Sequence, residues 1–220
     1  MSNTLYAVIT GDIYKSSRMK NNQMNRLAGE IKRILAEISD FAGQRQAMVK
    51  YSVFRGDSFQ IITQPEWAFT VIVYLRAGLR TAFPSTLASA TDCRIALAIG
   101  PVQHFSENIT ESIGEAFTVS GRLLETMHKS GFLEAQTPLP EITHELNTEF
   151  ALCNEIIRRW TTSQSQLVPM LLRNETQVNI AESLGVSQAS IAQKIQAMGW
   201  YPTEILMVRY QQLMTRFINI

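Results

Sequence analysis

The sequence predicts an α+β domain followed by an all-α unit, and three observations carry this. Short apolar runs of strand length alternate with helically spaced ones through the first part of the chain. Two prolines in "AQTPLPE" (135–141) mark a compositional shift, and everything beyond them has helical spacing.

Taken in order, "TLYAVITGD" (4–12) is a short apolar run closing on Gly-Asp, a buried strand entering a loop. "NQMNRLAGEIKRILAEISDFA" (22–42) places Met24, Leu27, Ile31, Ile34, Leu35 and Ile38 on one helical face. "MVKYSVF" and "SFQIIT", separated by "RGD", read as an antiparallel hairpin. "PEWAFTVIVYLRAGLRTAF" (65–83) opens with Pro65 and Glu66 at a helix start and continues as a mostly apolar helix. "DCRIALAIGPV" (92–102) is a further strand, and "GEAFTVSGRLLETMHKSG" (114–131) a further helix capped at Gly131. The order βαββαβ is that of a ferredoxin-like sheet with helices packed on one face. The predicted division is a 1–137 α+β domain and a 138–220 helical domain, the latter containing a helix-turn-helix at about 174–200.

The 220 residues are enough for one large domain or a medium one plus a small one, and 45% hydrophobic content supplies a core. A net charge of +1 argues against a strongly basic nucleic-acid binder while leaving room for a local basic face. Cys93 and Cys153 are far apart, and His104, His128 and His144 stand isolated, so no zinc pattern is present. With no secretory pattern at the N-terminus and no apolar run of membrane-spanning length, the expected compartment is cytoplasmic, with no membrane partner.

Candidate chemistry begins with two aspartates. Asp12 directly follows the first strand and Asp57 sits in the hairpin loop, on neighbouring strands of the expected topology. Two carboxylates at adjacent strand ends suit Mg²⁺, which takes hard oxygen ligands and completes its shell with water and phosphate. Gly-Asp is also a favoured turn pair, so both residues equally read as turn formers.

The blocks "VITGDIYKSS", "FRGDSFQ", "RIALAIGPV" and "IGEAFTVSGRLLE", in this order across roughly residues 5–130, resemble the class III nucleotidyl cyclases and the related SatD family. The resemblance implies a nucleotidyl cyclase-like domain in which Asp12 and Asp57 bind metal and Ile13 lends a backbone carbonyl. It implies that Lys15, Ser16 and Ser17 lie near a triphosphate, and that Arg122 neutralises phosphate charge in a transition state. Two departures stand out: Thr118 holds the position of a ribose-positioning Asn, and Glu111 matches a purine-reading acid whose lysine partner falls on Val53. Sites of this family often form between two subunits, which implies a homodimer.

In the second unit, "TQVNIAESLGVSQASIAQKIQAMGW" (176–200) has helix-turn-helix spacing. Ala181 permits close helix approach, Gly185 a left-handed turn and Ser187 an N-cap, while Ile180, Leu184, Val186, Ile191 and Ile195 form the inward face. Ser187, Gln188, Ser190, Gln193 and Lys194 then face outward, with both glutamines able to read adenine edges of double-stranded DNA. An αα-hairpin packed on the first domain needs the same spacing. Arg173 and Lys194 are balanced by Glu175 and Glu182, a poor charge for phosphate contact. The terminal "PTEILMVRYQQLMTRFINI" carries Ile205, Leu206, Leu213, Met214, Phe217 and Ile218 as a stripe that either covers the core or forms a dimer seam.

These features predict a regulator. Its first domain binds a nucleotide or phosphorylated small molecule with Mg²⁺, and its helix-turn-helix binds DNA. The alternatives are an active metal-dependent cyclase, or related nucleotidyl transferase, with a helical dimerisation tail, and a DNA-binding module whose first domain is only a scaffold.

Overall fold

A computed structural model describes residues 4–84, 91–104, 109, 112–128 and 131–218. The central antiparallel sheet runs β2-β3-β1-β4-β5, where β5 is the short Ile113–Gly114, with β6 (Leu133–Gln136) joined to β4 in parallel. Its long members are β1 (Leu5–Ile13), β2 (Val49–Phe54), β3 (Ser58–Thr63) and β4 (Cys93–His104). β1 is central because it pairs with both β3 and β4, and its register sets Asp12 opposite Ser58 on one side and Arg94 on the other.

Side-chain alternation along β1 decides what each face covers. Ala7, Ile9 and Ile13 join Phe59, Ile61, Ile95 and Leu97 under α1 (Asn21–Gly43) and α2 (Ala68–Ala82). Val8, Ile62 and Ala98 pack on the opposite face against Ala116 of α3 (Glu115–Thr126), and the Thr10 and Ser120 hydroxyls hydrogen-bond there at 2.8 Å. The expectation of helices on one face is therefore corrected: both faces are covered. The α3 face is needed because Val8, Ile62 and Ala98 would otherwise leave apolar sheet in water.

Two further expectations shift. α3 ends at Thr126, where Met127 turns extended and is buried, so Gly131 is not its cap; the Gly131 N–H instead donates to the His128 carbonyl. Met24, expected on the inner face of α1, is 38% exposed because it lies in the first turn, ahead of the buried run from Leu27 to Ala42. β5 (Ile113–Gly114) and β6 (Leu133–Gln136) carried too few residues for alternation to announce them.

Beyond β6 the chain is helical: α4 (Pro140–Ile157), α5 (Thr162–Ser165), α6 (Val168–Leu172), α7 (Gln177–Leu184), α8 (Gln188–Ala197) and α9 (Trp200–Ile218). One apolar cluster runs from the α1–α2 layer into these helices. Phe69 of α2 stacks on Phe150 of α4 with ring centres 5.0 Å apart, and Tyr210 of α9 donates its hydroxyl to the Pro65 carbonyl at 2.9 Å. α2 is thus buried almost all round, which is why its sequence is apolar on every side.

The apolar side of α2 carries two exceptions, Arg76 and Arg80. Both are buried and both reach Asp92, Arg76 with a bidentate pair at 2.8 and 2.7 Å and Arg80 at 2.7 Å. Arg80 Nη1 also donates to the Trp160 carbonyl at 3.2 Å, and the Trp160 indole N–H donates to the Met198 carbonyl at 2.6 Å.

α7 is capped by Thr176 and stopped by Gly185 at φ 64°, after which Ser187 caps α8 by accepting from the Ser190 N–H. Ile180 and Ile191 are buried as expected, whereas Val186 is 39% exposed because it lies in the turn rather than on either inner face. On α9, Met214 and Phe217 are buried while Ile205 and Ile218 are exposed, so the predicted stripe is only partly covered.

Candidate functional site

The ends of β1 and β3 form an open cleft of about 500 Å³. Its walls are Asp12, Ile13, the following Tyr14–Ser17 segment, Arg55, Asp57, Ser58 and Arg94. The hairpin turns through Arg55 at φ 54° and Gly56 at φ 84°, two successive left-handed residues that match the twist of a tight hairpin and are strained for any side chain but glycine's. That turn delivers Asp57 to the end of β1.

Asp57 braces the cleft. Its Oδ2 accepts from the Ser16 hydroxyl at 2.7 Å, its Oδ1 accepts from the Ser58 hydroxyl at 3.2 Å, and its carbonyl accepts from the Ile13 N–H at 3.0 Å. Asp12 is held differently: the Arg94 guanidinium forks onto it, Nε to Oδ1 at 3.0 Å and Nη2 to Oδ2 at 2.5 Å. The pairing is across the β1–β4 ladder, and the Asp12 hydrogen bond is the first cause of an Arg94 pKa raised above its ordinary value. Both side chains remain about a quarter exposed at the cleft wall.

The surroundings are electropositive. Lys15, Arg55 and Arg94 line the cleft against two carboxylates, leaving one excess positive charge. Lys15 sits at φ 55° with its ammonium 4.6 Å from the Tyr14 ring centre. The Tyr14 hydroxyl titrates below its ordinary value, first because of its hydrogen bond to Lys15 and further through the charges of Lys15, Arg18 and Arg158. A solvated cleft with hydroxyls and three cations, two of them guanidinium forks, is suited to phosphate oxygens.

Gly11 keeps this wall in place. A Cβ there would lie 2.4 Å from the Phe59 ring and 2.7 Å from the Arg94 carbonyl, so β1 and β4 approach at Asp12 only because residue 11 has no side chain.

Of the sequence-predicted residues, Asp12, Ile13, Lys15, Ser16, Ser17 and Asp57 come together here. Thr118 and Arg122 do not: both are exposed on α3 and neither lines the cleft. Glu111 lies outside the described residues. Ser187, Gln188 and Gln193 are exposed on or beside α8, Ser190 and Lys194 are half-buried, and Gln188 donates to Gln177 at 3.4 Å. Sequence reasoning missed Arg94, Arg55 and Ser58, while Tyr14 belongs to the "YKSS" loop that the resemblance places near a triphosphate. The available signal for Arg94 was a single cation inside the otherwise apolar run "CRIALAI".

Among the described residues no cluster of three or more His, Cys, Asp or Glu side chains could hold a metal, and no helix is long and apolar enough to cross a membrane. The donors Asp12, Asp57 and the Ile13 carbonyl fit Mg²⁺ of the kind that enters with a phosphate, bound through one or two carboxylates. Both Asp12 oxygens are engaged by Arg94, so such binding requires that fork to open.

No family model matches the chain, and no curated protein matches it. Among solved structures, the guanylyl cyclase domain of the RhoGC fusion protein from Blastocladiella emersonii is 18% identical, with 56% of this chain and 74% of that one covered at a TM-score of 0.43. A bacterial light-regulated adenylyl cyclase is 16% identical, covering 60% and 75% at 0.45. The adenylate/guanylate cyclase/hydrolase from Silicibacter pomeroyi is 16% identical, covering 66% and 80% at 0.43. Side-chain chemistry does not transfer at such identities, so function has to be argued from this chain's own residues.

Proposed function

We propose that the cleft at the ends of β1 and β3 binds the phosphate groups of a nucleotide or phosphorylated small molecule together with Mg²⁺. The single observation that carries this is the convergence of Asp12 and Asp57 with Lys15, Arg55 and Arg94 on one open cleft. In this reading Asp12, Asp57 and the Ile13 carbonyl hold the ion, which when bound offsets phosphate charge and polarises a phosphoryl oxygen. Arg94, released from Asp12, turns its fork to phosphate, while Lys15, Ser16 and Ser17 supply further donors. The βαββαβ part of the chain is read as a ferredoxin-like, cyclase-type scaffold for this site.

Calorimetry with ATP and GTP tests it. Wild type is expected to bind at least one of them with Mg²⁺. Arg94→Ala is expected to weaken binding about 10- to 100-fold, the loss of a charged hydrogen bond worth about 1.5–3 kcal/mol. Asp57→Ala is expected to weaken the magnesium complex but to leave or strengthen magnesium-free binding, because it removes a negative charge from the cleft. Absence of binding by wild type to both nucleotides would refute the nucleotide reading.

Turnover by a cyclase is a second reading, favoured by one observation: Thr118 and Arg122 are exposed, and so available to another copy of the chain in a homodimer. Pyrophosphate release from ATP or GTP, abolished by Arg122→Ala without loss of binding, is the outcome it requires.

For the helical part, the Thr176 cap, left-handed Gly185 and Ser187 cap support a helix-turn-helix reading with α8 presented to double-stranded DNA. Lys194 is the one cation within α8, so phosphate contacts are few and binding is expected only at low salt. Fluorescence anisotropy with duplex DNA at two salt concentrations is expected to show weak, salt-sensitive binding that Lys194→Ala reduces. No binding at low salt would make α7–α8 a packing hairpin.

A further inference from the structure

A second cleft, sharing no lining residue with the first, lies between the end of α1, the 3₁₀ turn Pro65–Trp67 and α9. It holds about 190 Å³ and is walled by Phe41, Trp67 and Trp200, with Glu66 and Glu204 facing one cation, Arg45. That is below the roughly 300–1,000 Å³ of sites for drug-sized ligands, so its occupant is small.

Three features bear on the occupant's chemistry. The two carboxylates against one guanidinium leave the walls with an excess negative charge. Glu66 Oε2 is buried and has no hydrogen-bond donor among the described residues, although buried polar atoms ordinarily find one. The aromatic wall already accepts a cation, since the Arg45 guanidinium lies 4.0 Å from the centre of the Phe41 ring while donating to the Phe41 carbonyl at 3.3 Å. Phe41 in turn meets Trp67 edge to face at 6.2 Å, which fixes the wall's geometry.

We infer that this cleft is a binding site for a small organic ammonium ion, its charged head on the Glu66 and Glu204 carboxylates and its apolar body against Trp67 and Trp200. An ammonium answers the excess negative charge of the walls, and aromatic faces attract it through their quadrupoles. A phosphate is repelled here by the excess negative charge, the opposite of the positive excess that favours it in the β1–β3 cleft. Because the walls come from both the α1–α2 layer and α9, occupancy ties the helical segment to the α+β part and stabilises the folded chain.

Phenethylamine, protonated at neutral pH, and its neutral counterpart phenethyl alcohol are the probes. Titration of the whole chain, followed by calorimetry and by thermal unfolding, is expected to show saturable binding and a raised melting temperature with the amine only. Glu66→Gln and Glu204→Gln are each expected to weaken it about tenfold or more, as loss of a charge-assisted contact does. Asp57→Ala, at the other cleft, is expected to leave it unchanged. Should Glu66→Gln fail to fold, the exposed Glu204→Gln carries the test. No saturation by the amine, equal binding of the alcohol, or unchanged affinity in the folded glutamine variants would overturn the inference.

Discussion

Replacement of Asp92 by alanine is expected to lower the unfolding free energy by about 3–5 kcal/mol, the cost of leaving buried charge without its partner. Asp92 is the common acceptor for Arg76 and Arg80, both buried, and it also accepts from its neighbour's Cys93 N–H through Oδ1. Alanine strands both guanidinium groups beneath α2, where Arg76 Nη1 and Arg80 Nε already have no partner among the described residues. Urea unfolding reads the effect as a lowered midpoint, and a loss below about 1 kcal/mol would contradict it. The pH dependence follows with a definite sign. Burial alone would raise the Asp92 carboxyl, but the charges and hydrogen bonds of Arg76 and Arg80 outweigh it and hold it below its ordinary value. A carboxyl depressed on folding contributes stability that is complete above its unfolded pKa of about 3.9 and is lost as pH falls through the lower folded value. The wild-type chain is therefore expected to lose stability below about pH 4, with Asp92→Asn lacking that component.

Trp160→Ala is expected to cost about 3–5 kcal/mol, the usual penalty for emptying a buried tryptophan site. Trp160 is 1% exposed and stands at the joint between α4 and α5. Its carbonyl accepts from Arg80 and its indole N–H donates to Met198 at the end of α8, so one residue ties α2 to the α7–α8 pair. Trp160→Phe keeps most of the volume and removes the indole donor with one of its two rings, with an expected cost of about 1–3 kcal/mol for the unpaired Met198 carbonyl and a smaller packing loss than alanine's. Urea denaturation of both variants separates packing from hydrogen bonding. Equal midpoints for the two would refute this division. Because Asp92 and Trp160 share Arg80, the double variant is expected to lose less than the sum of the single losses.

The elements that were legible are those whose pattern is long and local. β1, β2, β3, β4, α1 and α2 announced themselves by alternation or by helical spacing over many residues, and Gly185 with Ser187 announced the stop of α7 and the start of α8. Asp12 and Asp57 were legible as a pair because hairpin turn chemistry and strand ends are local features, and a sheet order with β1 beside β3 brings them together. Their actual partners were not legible. Arg94 sits 82 positions from Asp12, and only the β1–β4 register makes the two opposite. The placement of α3 on the second face, with Thr118 and Arg122 exposed outside the cleft, depended likewise on how far the chain runs before turning.

By itself, then, the sequence determined the succession β1-α1-β2-β3-α2-β4, the left-handed turn at Gly185, and two carboxylates at neighbouring strand ends. Each follows from backbone preference or apolar period within a short window. Only the tertiary structure decided that Asp12 is forked by Arg94, that Asp57 braces Ser16, and that buried arginines of α2 meet Asp92 and Trp160. The physical reason is that hydrogen-bond and charge partners are selected by strand register and helix packing. Those are long-range properties of the whole core, and no short window of sequence contains them.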